Sequence, residues 1–141
     1  MEEHYQAYLD YYRNLRSDNV SALKDIATED LHFRDPFNEV KSCDAVIKIM
    51  SDMFRRLKEP RFVITDSAHN ANGMYICWDL YFKTWLIKFG KEHAIQGMSY
   101  IEADATGKIC KHIDYWDATT ELYVHLPLIG YLFRFWRWLL R

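Results

Sequence analysis

A histidine, a carboxylate and an indole occupy every second position in the stretch Lys108-Ile109-Cys110-Lys111-His112-Ile113-Asp114-Tyr115-Trp116-Asp117. The stretch follows a turn, Asp104-Ala105-Thr106-Gly107, and reads as a strand, on which successive side chains point to opposite faces. Ile109, Lys111, Ile113 and Tyr115 then share one side, and Cys110, His112, Asp114 and Trp116 share the other. An imidazole can pass a proton at neutral pH, with a carboxylate to orient it. Residues two apart on a strand lie roughly 6.6–6.8 Å apart along it, so His112 and Asp114 share a face without having to bond directly. The competing interpretation is a satisfied polar pair in a structural core, or a pair that grips a ligand and does no chemistry.

A second carboxylate stands at the end of an apolar row. Leu31-His32-Phe33-Arg34-Asp35 alternates, placing Leu31, Phe33 and Asp35 on one face, and Pro36 stops the strand because proline cannot donate to a ladder. In a dry cavity Asp35 is a candidate base; otherwise it caps the turn that follows. Trp78, Phe82, Trp116, Phe33 and Phe54 are candidate walls for a flat or apolar ligand, since a cavity wall is also a core. The spacings match no metal-ligand pattern, and no Gly-rich phosphate loop or dinucleotide motif is present, so neither metal nor cofactor is expected.

The elements that must position these groups follow from periodicity. Tyr5, Tyr8, Leu9, Tyr12 and Leu15 recur at three- and four-residue steps and predict a helix over about 2–16, with Tyr11 at the edge of its stripe. Ser17-Asp18-Asn19 breaks it, and Val20, Leu23 and Ile26 predict a short second helix. A third, capped by Ser42 or Asp44, runs to about Leu57 with Val46, Ile47, Met50, Met53, Phe54 and Leu57 on its buried face. Strands are expected over about 61–70, 73–86 and 92–104, before the His112 stretch closes the sheet. Ala118–Leu126 predicts a further helix, broken at Pro127-Leu128-Ile129-Gly130. The whole is one α+β domain spanning 1–141, with 118–141 as a C-terminal helical extension.

Of 141 residues half are hydrophobic and 16% aromatic, which favours an enclosed cavity or a large interface. A net charge of −2 gives no global pull toward nucleic acid. Cys43, Cys77 and Cys110 are too scattered for a disulfide frame, and Met1-Glu2-Glu3-His4 lacks the character of a secretory leader, so a cytoplasmic protein is expected.

The order helix, helix, short strand ending Phe33-Arg34-Asp35-Pro36-Phe37, helix, then strands finishing Gly107 to Asp117 resembles the nuclear transport factor 2-like superfamily. Within it the chain resembles the SnoaL-like polyketide cyclases and the ketosteroid isomerases. The resemblance runs from the first helix to about Asp117 and implies a cone-shaped, curved antiparallel sheet packed against three N-terminal helices. It is specific for fold and not for reaction. The Asp-Pro pair resembles the isomerase motif in which the aspartate is the general base, which implies that role for Asp35. Counting back without gaps, the oxyanion-donating tyrosine falls on Tyr11. The second donor, a protonated aspartic acid in the isomerases, falls on Ser99, a weaker donor that argues against true steroid isomerisation. His112 and Asp114 resemble the inward-facing polar residues of SnoaL-like enzymes. The implied function is proton-transfer chemistry (isomerisation, dehydration or cyclisation) on a small apolar or aromatic carbonyl compound. The alternative is a non-catalytic ligand-binding or dimerisation module.

Two surfaces remain. Gln96, Met98, Tyr100, Tyr75 and Tyr81 make an outer sheet face rich enough in aromatics for a homodimer interface. As a helix, residues 128–141 put Arg134, Arg137 and Arg141 on one narrow stripe, with aromatics and leucines over the rest. That segment is too short and charged to span a bilayer. It is expected to lid the cavity mouth or pack on a partner; the alternative is a membrane surface with the arginines toward headgroups.

Overall fold

The computed structural model describes residues 2–141. Helix α1, Glu2–Arg13, buries Tyr5, Tyr8, Leu9, Tyr11 and Tyr12. The expected second helix is a 3₁₀ turn, Val20–Asp25, burying Val20 and Leu23. Strand β1, Ala27–Arg34, forms a hairpin with β2, Glu39–Lys41, which the sequence pattern did not reveal. Helix α2, Cys43–Arg56, begins where the Ser42 hydroxyl accepts the Ala45 N–H at 3.2 Å. Strands β3 (Lys58–His69), β4 (Met74–Lys83), β5 (His93–Ala103) and β6 (Ile109–Tyr115) follow. The tail is a short α3, Ala118–Glu121, a 3₁₀ turn, Tyr123–His125, and α4, Ile129–Leu139.

The six strands form one sheet in the order β2-β1-β6-β5-β4-β3. From β3 to β6 it is an antiparallel meander, while β1 joins β6 in parallel. Register shifts in the β1–β6, β3–β4 and β5–β6 pairings mark where the sheet bends, as bulges do. Helices α1 and α2 fill the concave side, and the architecture is the expected α+β, with a curved, unclosed sheet.

Pairing register lines up the concave face. One row runs Phe33, His112, Ile101, Met74 across β1, β6, β5 and β4. The next runs Asp114, Ser99, Ile76. The face assignment of the last strand needs one correction. Ala103 pairs with Ile109 and Glu102 with Lys111, so Cys110 is the extra, bulged residue and Ile109 turns into the core beside the His112 face. A bulge reverses strict alternation on one side of itself, which a period-of-two argument misses.

Gly97 faces Trp78 across β4 and β5, and its missing side chain is what lets the indole lie on the sheet. A Cβ there would sit 2.5 Å from two Trp78 ring atoms. On the convex side Tyr75 and Met98 are part-exposed, Tyr75 packs on Tyr100 at 5.0 Å, and Arg61 covers the Tyr81 ring at 4.2 Å. Gly97→Ala is therefore expected to lower stability in urea denaturation by about 1–3 kcal/mol through overpacking, with the Trp78 emission altered in the folded state. An unchanged midpoint and spectrum would show that the indole does not rest on this glycine.

Candidate functional site

Strand register puts Asp114 next to Ser99, and helix α1 lays Tyr8 over His112. The result is a continuous chain of hydrogen bonds. The Tyr8 hydroxyl lies 2.6 Å from His112 Nδ1, and His112 Nε2 lies 2.6 Å from Asp114 Oδ1. From the other side Trp78 Nε1 donates to Ser99 Oγ at 2.8 Å, and Ser99 Oγ donates to the same Asp114 Oδ1 at 2.5 Å.

Burial pushes the Tyr8 ionisation well above its ordinary value of 10.0, so the phenol keeps its proton. The Asp114 carboxylate only accepts, so His112 Nε2 and Ser99 Oγ both donate to Oδ1. Asp114 Oδ2 accepts no hydrogen bond among the described residues, and 14% of the side chain stays accessible.

Two hollows meet at Asp114. The larger, about 460 Å³, lies between the sheet, α2 and the 118–126 segment. Phe33, Met50, Met53, Leu57, Trp78, Phe82, Trp116, Leu122 and Leu126 give it apolar walls, and Asp35, Asn38, Asp52, Arg56, Thr84 and Asp114 are its polar lining. Its size suits a small organic ligand. The smaller, about 20 Å³, is bounded by Tyr12, Ser99, His112 and Asp114 among others and has room for a single water. The buried Tyr12 hydroxyl has no well-formed partner and borders this chamber.

The residues singled out from sequence divide accordingly. Trp78, Phe82, Trp116, Phe33 and Asp114 line the main cavity. Ser99 and His112 lie behind Asp114, buried, and meet only the small chamber. His112 has both nitrogens engaged, so it positions the carboxylate and does not itself face the main cavity. Asp35 reaches the cavity, but its Oδ1 accepts the Phe37 and Asn38 N–H groups at 2.7 Å each, so it also caps the turn between β1 and β2. Phe54 is a correction: it packs on the core, while Met50, Met53 and Leu57 supply the α2 wall. Tyr11 is another. Its hydroxyl donates to the Val20 carbonyl at 2.8 Å, clamping the 3₁₀ turn, and it lines neither hollow.

Tyr8, bonded to His112, and Tyr12, beside the small chamber, are the tyrosines that meet this network. They stand four residues apart on one helix face, whereas Tyr11 sits at the stripe's edge, and the periodicity was a better guide than ungapped counting. Among the described residues no group of three or more His, Cys, Asp or Glu side chains is arranged to hold a metal ion.

A family model described as "SnoaL-like domain" matches residues 8–112. Comparison with curated proteins finds no match. Among solved structures, a putative SnoaL-like polyketide cyclase from Jannaschia sp. CCS1 superposes with a TM-score of 0.73 at 8% identity, over 90% of this chain and 93% of that one. A hypothetical protein with a ketosteroid isomerase-like fold from Catenulispora acidiphila gives 0.72 at 12% identity, over 89% and 93%. An LEH-like epoxide hydrolase from M. tuberculosis gives 0.67 at 13%, over 94% and 89%. At such identities the likeness is one of fold.

The buried phenols make stability pH-dependent. Burial raises Tyr8, Tyr11 and Tyr12 above the ordinary 10.0. Above that pH the unfolded chain has lost protons that the folded chain keeps, so their contribution is complete below it and falls as pH rises further. Circular dichroism and tyrosinate absorbance are expected to show the last phenols ionising only as the fold is lost, above about pH 10. Complete tyrosinate formation with a native dichroism spectrum would contradict the buried network.

Proposed function

Since the chain belongs to the SnoaL-like domain family, we propose that it is a small-molecule enzyme in which Asp114 moves a proton on an apolar carbonyl compound held in the 460 Å³ cavity. The observation that carries this is the convergence of His112 and Ser99 on Oδ1, which leaves Oδ2 as the free oxygen of a carboxylate that lines a mostly apolar cavity. A carboxylate held in one rotamer in such a cavity is arranged to take a proton from the carbon beside a carbonyl. Returned to a neighbouring carbon, that proton completes an isomerisation; delivered instead to a hydroxyl on the β-carbon, which leaves as water while the C–C double bond forms, it completes a dehydration.

The roles differ from those implied by resemblance. Tyr11 and Ser99 are spent on Val20 and Asp114, so neither is free to donate to a substrate oxygen. Trp116, Arg56 and Thr84 line the cavity without a hydrogen-bond partner among the described residues, which makes them the available donors for a carbonyl oxygen. Asp35, at the mouth and tied to its turn, shapes entry. Three free thiols fit a cytoplasmic setting, and the convex face around Met98 and Tyr75 fits a homodimer seam.

Loss of α-protons from a panel of apolar cyclic ketones and enones in deuterated water, followed by NMR, tests the reading directly. Asp114→Asn is expected to slow exchange by about 10²–10⁴-fold, and Asp35→Asn by far less. Ligands that bind, as seen by Trp78 and Trp116 emission, but exchange equally slowly with wild type and Asp114→Asn would leave a non-catalytic binding module. Sedimentation velocity tests the seam: Met98→Glu is expected to convert a dimer to a monomer, and a monomeric wild type would remove it.

A further inference from the structure

Helix α4 is turned the wrong way round for a surface helix. Its buried position is Gly130, where a Cβ would lie 2.8 Å from the Val124 carbonyl oxygen. Phe133 stacks on Tyr123 at 4.7 Å, and Arg134 donates to the Val124 carbonyl. By helical periodicity Arg137 falls on this same body-facing side. The opposite side carries Tyr131, Leu132, Phe135, Trp138 and Leu139, each 51–71% exposed. A helix ordinarily gives its apolar stripe to the core. It does not lid the cavity, whose roof is Leu122 and Leu126 from the preceding segment.

Three observations say what covers that stripe. Residues 122–141 hold three arginines and no carboxylate side chain, on a chain whose net charge is −2, so a cationic helix projects from an acidic body. Tyr131, Trp136 and Trp138 carry polar tips that make no hydrogen bond to other side chains or backbone among the described residues. A dry seam with a second copy would strand those tips, whereas the carbonyl and headgroup layer of a bilayer supplies them with partners. Finally, the loop between β4 and β5 exposes Trp85 and Phe89, the latter completely, between Lys88 and Lys91. Lys88 and Phe89 both hold positive φ (52° and 54°), a strained geometry that keeps the ring out of the core. That loop gives Leu86 and Ile87 to the cavity, and Tyr123, beneath α4, lies 6.1 Å from Phe37 at the same cavity's wall.

We infer that α4, with the Trp85–Phe89 loop, seats the protein in the interfacial layer of an anionic bilayer, with the arginines at the headgroups and the cavity beside the lipid. The helix lies flat: 11 residues reach roughly 16 Å, about half a hydrocarbon core.

The test is co-sedimentation of the full chain with vesicles of phosphatidylcholine, or of an equimolar phosphatidylcholine–phosphatidylglycerol mixture. Binding to the anionic mixture is expected to be about tenfold tighter or more, with blue-shifted tryptophan emission quenched by brominated lipid. Leu132→Glu with Phe135→Glu, on the outward face, is expected to weaken binding at least about tenfold while the melting curve stays cooperative. Wild type that neither sediments nor is quenched overturns the inference, and so does binding that the double variant leaves intact. Self-association lost in that variant, without vesicle binding, would assign the face to a second copy.

Discussion

One carboxylate oxygen holds the concave face together. Asp114 Oδ1 receives the hydrogen of His112 Nε2 and that of Ser99 Oγ, and behind these stand Tyr8 and Trp78. Four elements, α1, β4, β5 and β6, are thereby tied to a single atom. Polar groups buried this deeply are tolerated only when each finds a partner, so the geometry of the network and the register of the sheet specify one another. Shifting β6 by one residue would send His112 and Asp114 to the convex side and leave the Tyr8 and Ser99 hydroxyls without these partners.

The same constraint separates what faces the cavity from what supports it. A free imidazole would be the natural proton carrier, yet His112 has no unoccupied nitrogen. It holds Asp114, and the one carboxylate oxygen left without a partner among the described residues is Oδ2. The apolar walls supplied by Phe33, Met50, Trp78, Phe82 and Trp116 keep that oxygen in a poorly solvated place, where a charge interacts more strongly than in water. Gly97 serves the same end from below, because only a residue without a side chain lets Trp78 lie flat and reach Ser99.

At the other end of the molecule the tail obeys a different logic. His93 Nε2 lies 2.6 Å from the Glu121 carbonyl and holds the start of the tail to β5, so Leu122 and Leu126 roof the cavity. Beyond Pro127 the chain stops contributing to the core. Leu128 takes a positive φ of 61°, and α4 leaves with its arginines inward and its rings outward.

Much of the architecture could be read from residue order. Stripes at three- and four-residue steps located α1 and α2, alternation located the long strands, and the Asp35–Pro36 and Asp104–Gly107 turns marked their ends, because these signals are local and repeat along the chain. The sharing of a face by His112 and Asp114 was equally legible, since it needs only the pleat. What lay beyond the sequence was anything set by contact across the fold. The bulge at Cys110, the parallel docking of β1 on β6, and the choice of Tyr8 over Tyr11 depend on how α1 sits over the sheet. The sequence by itself determined which side chains could share a face. Only the packing of helix on sheet decided which of them is left with an unpartnered oxygen, because hydrogen-bond partners 104 residues apart are chosen by space and not by spacing.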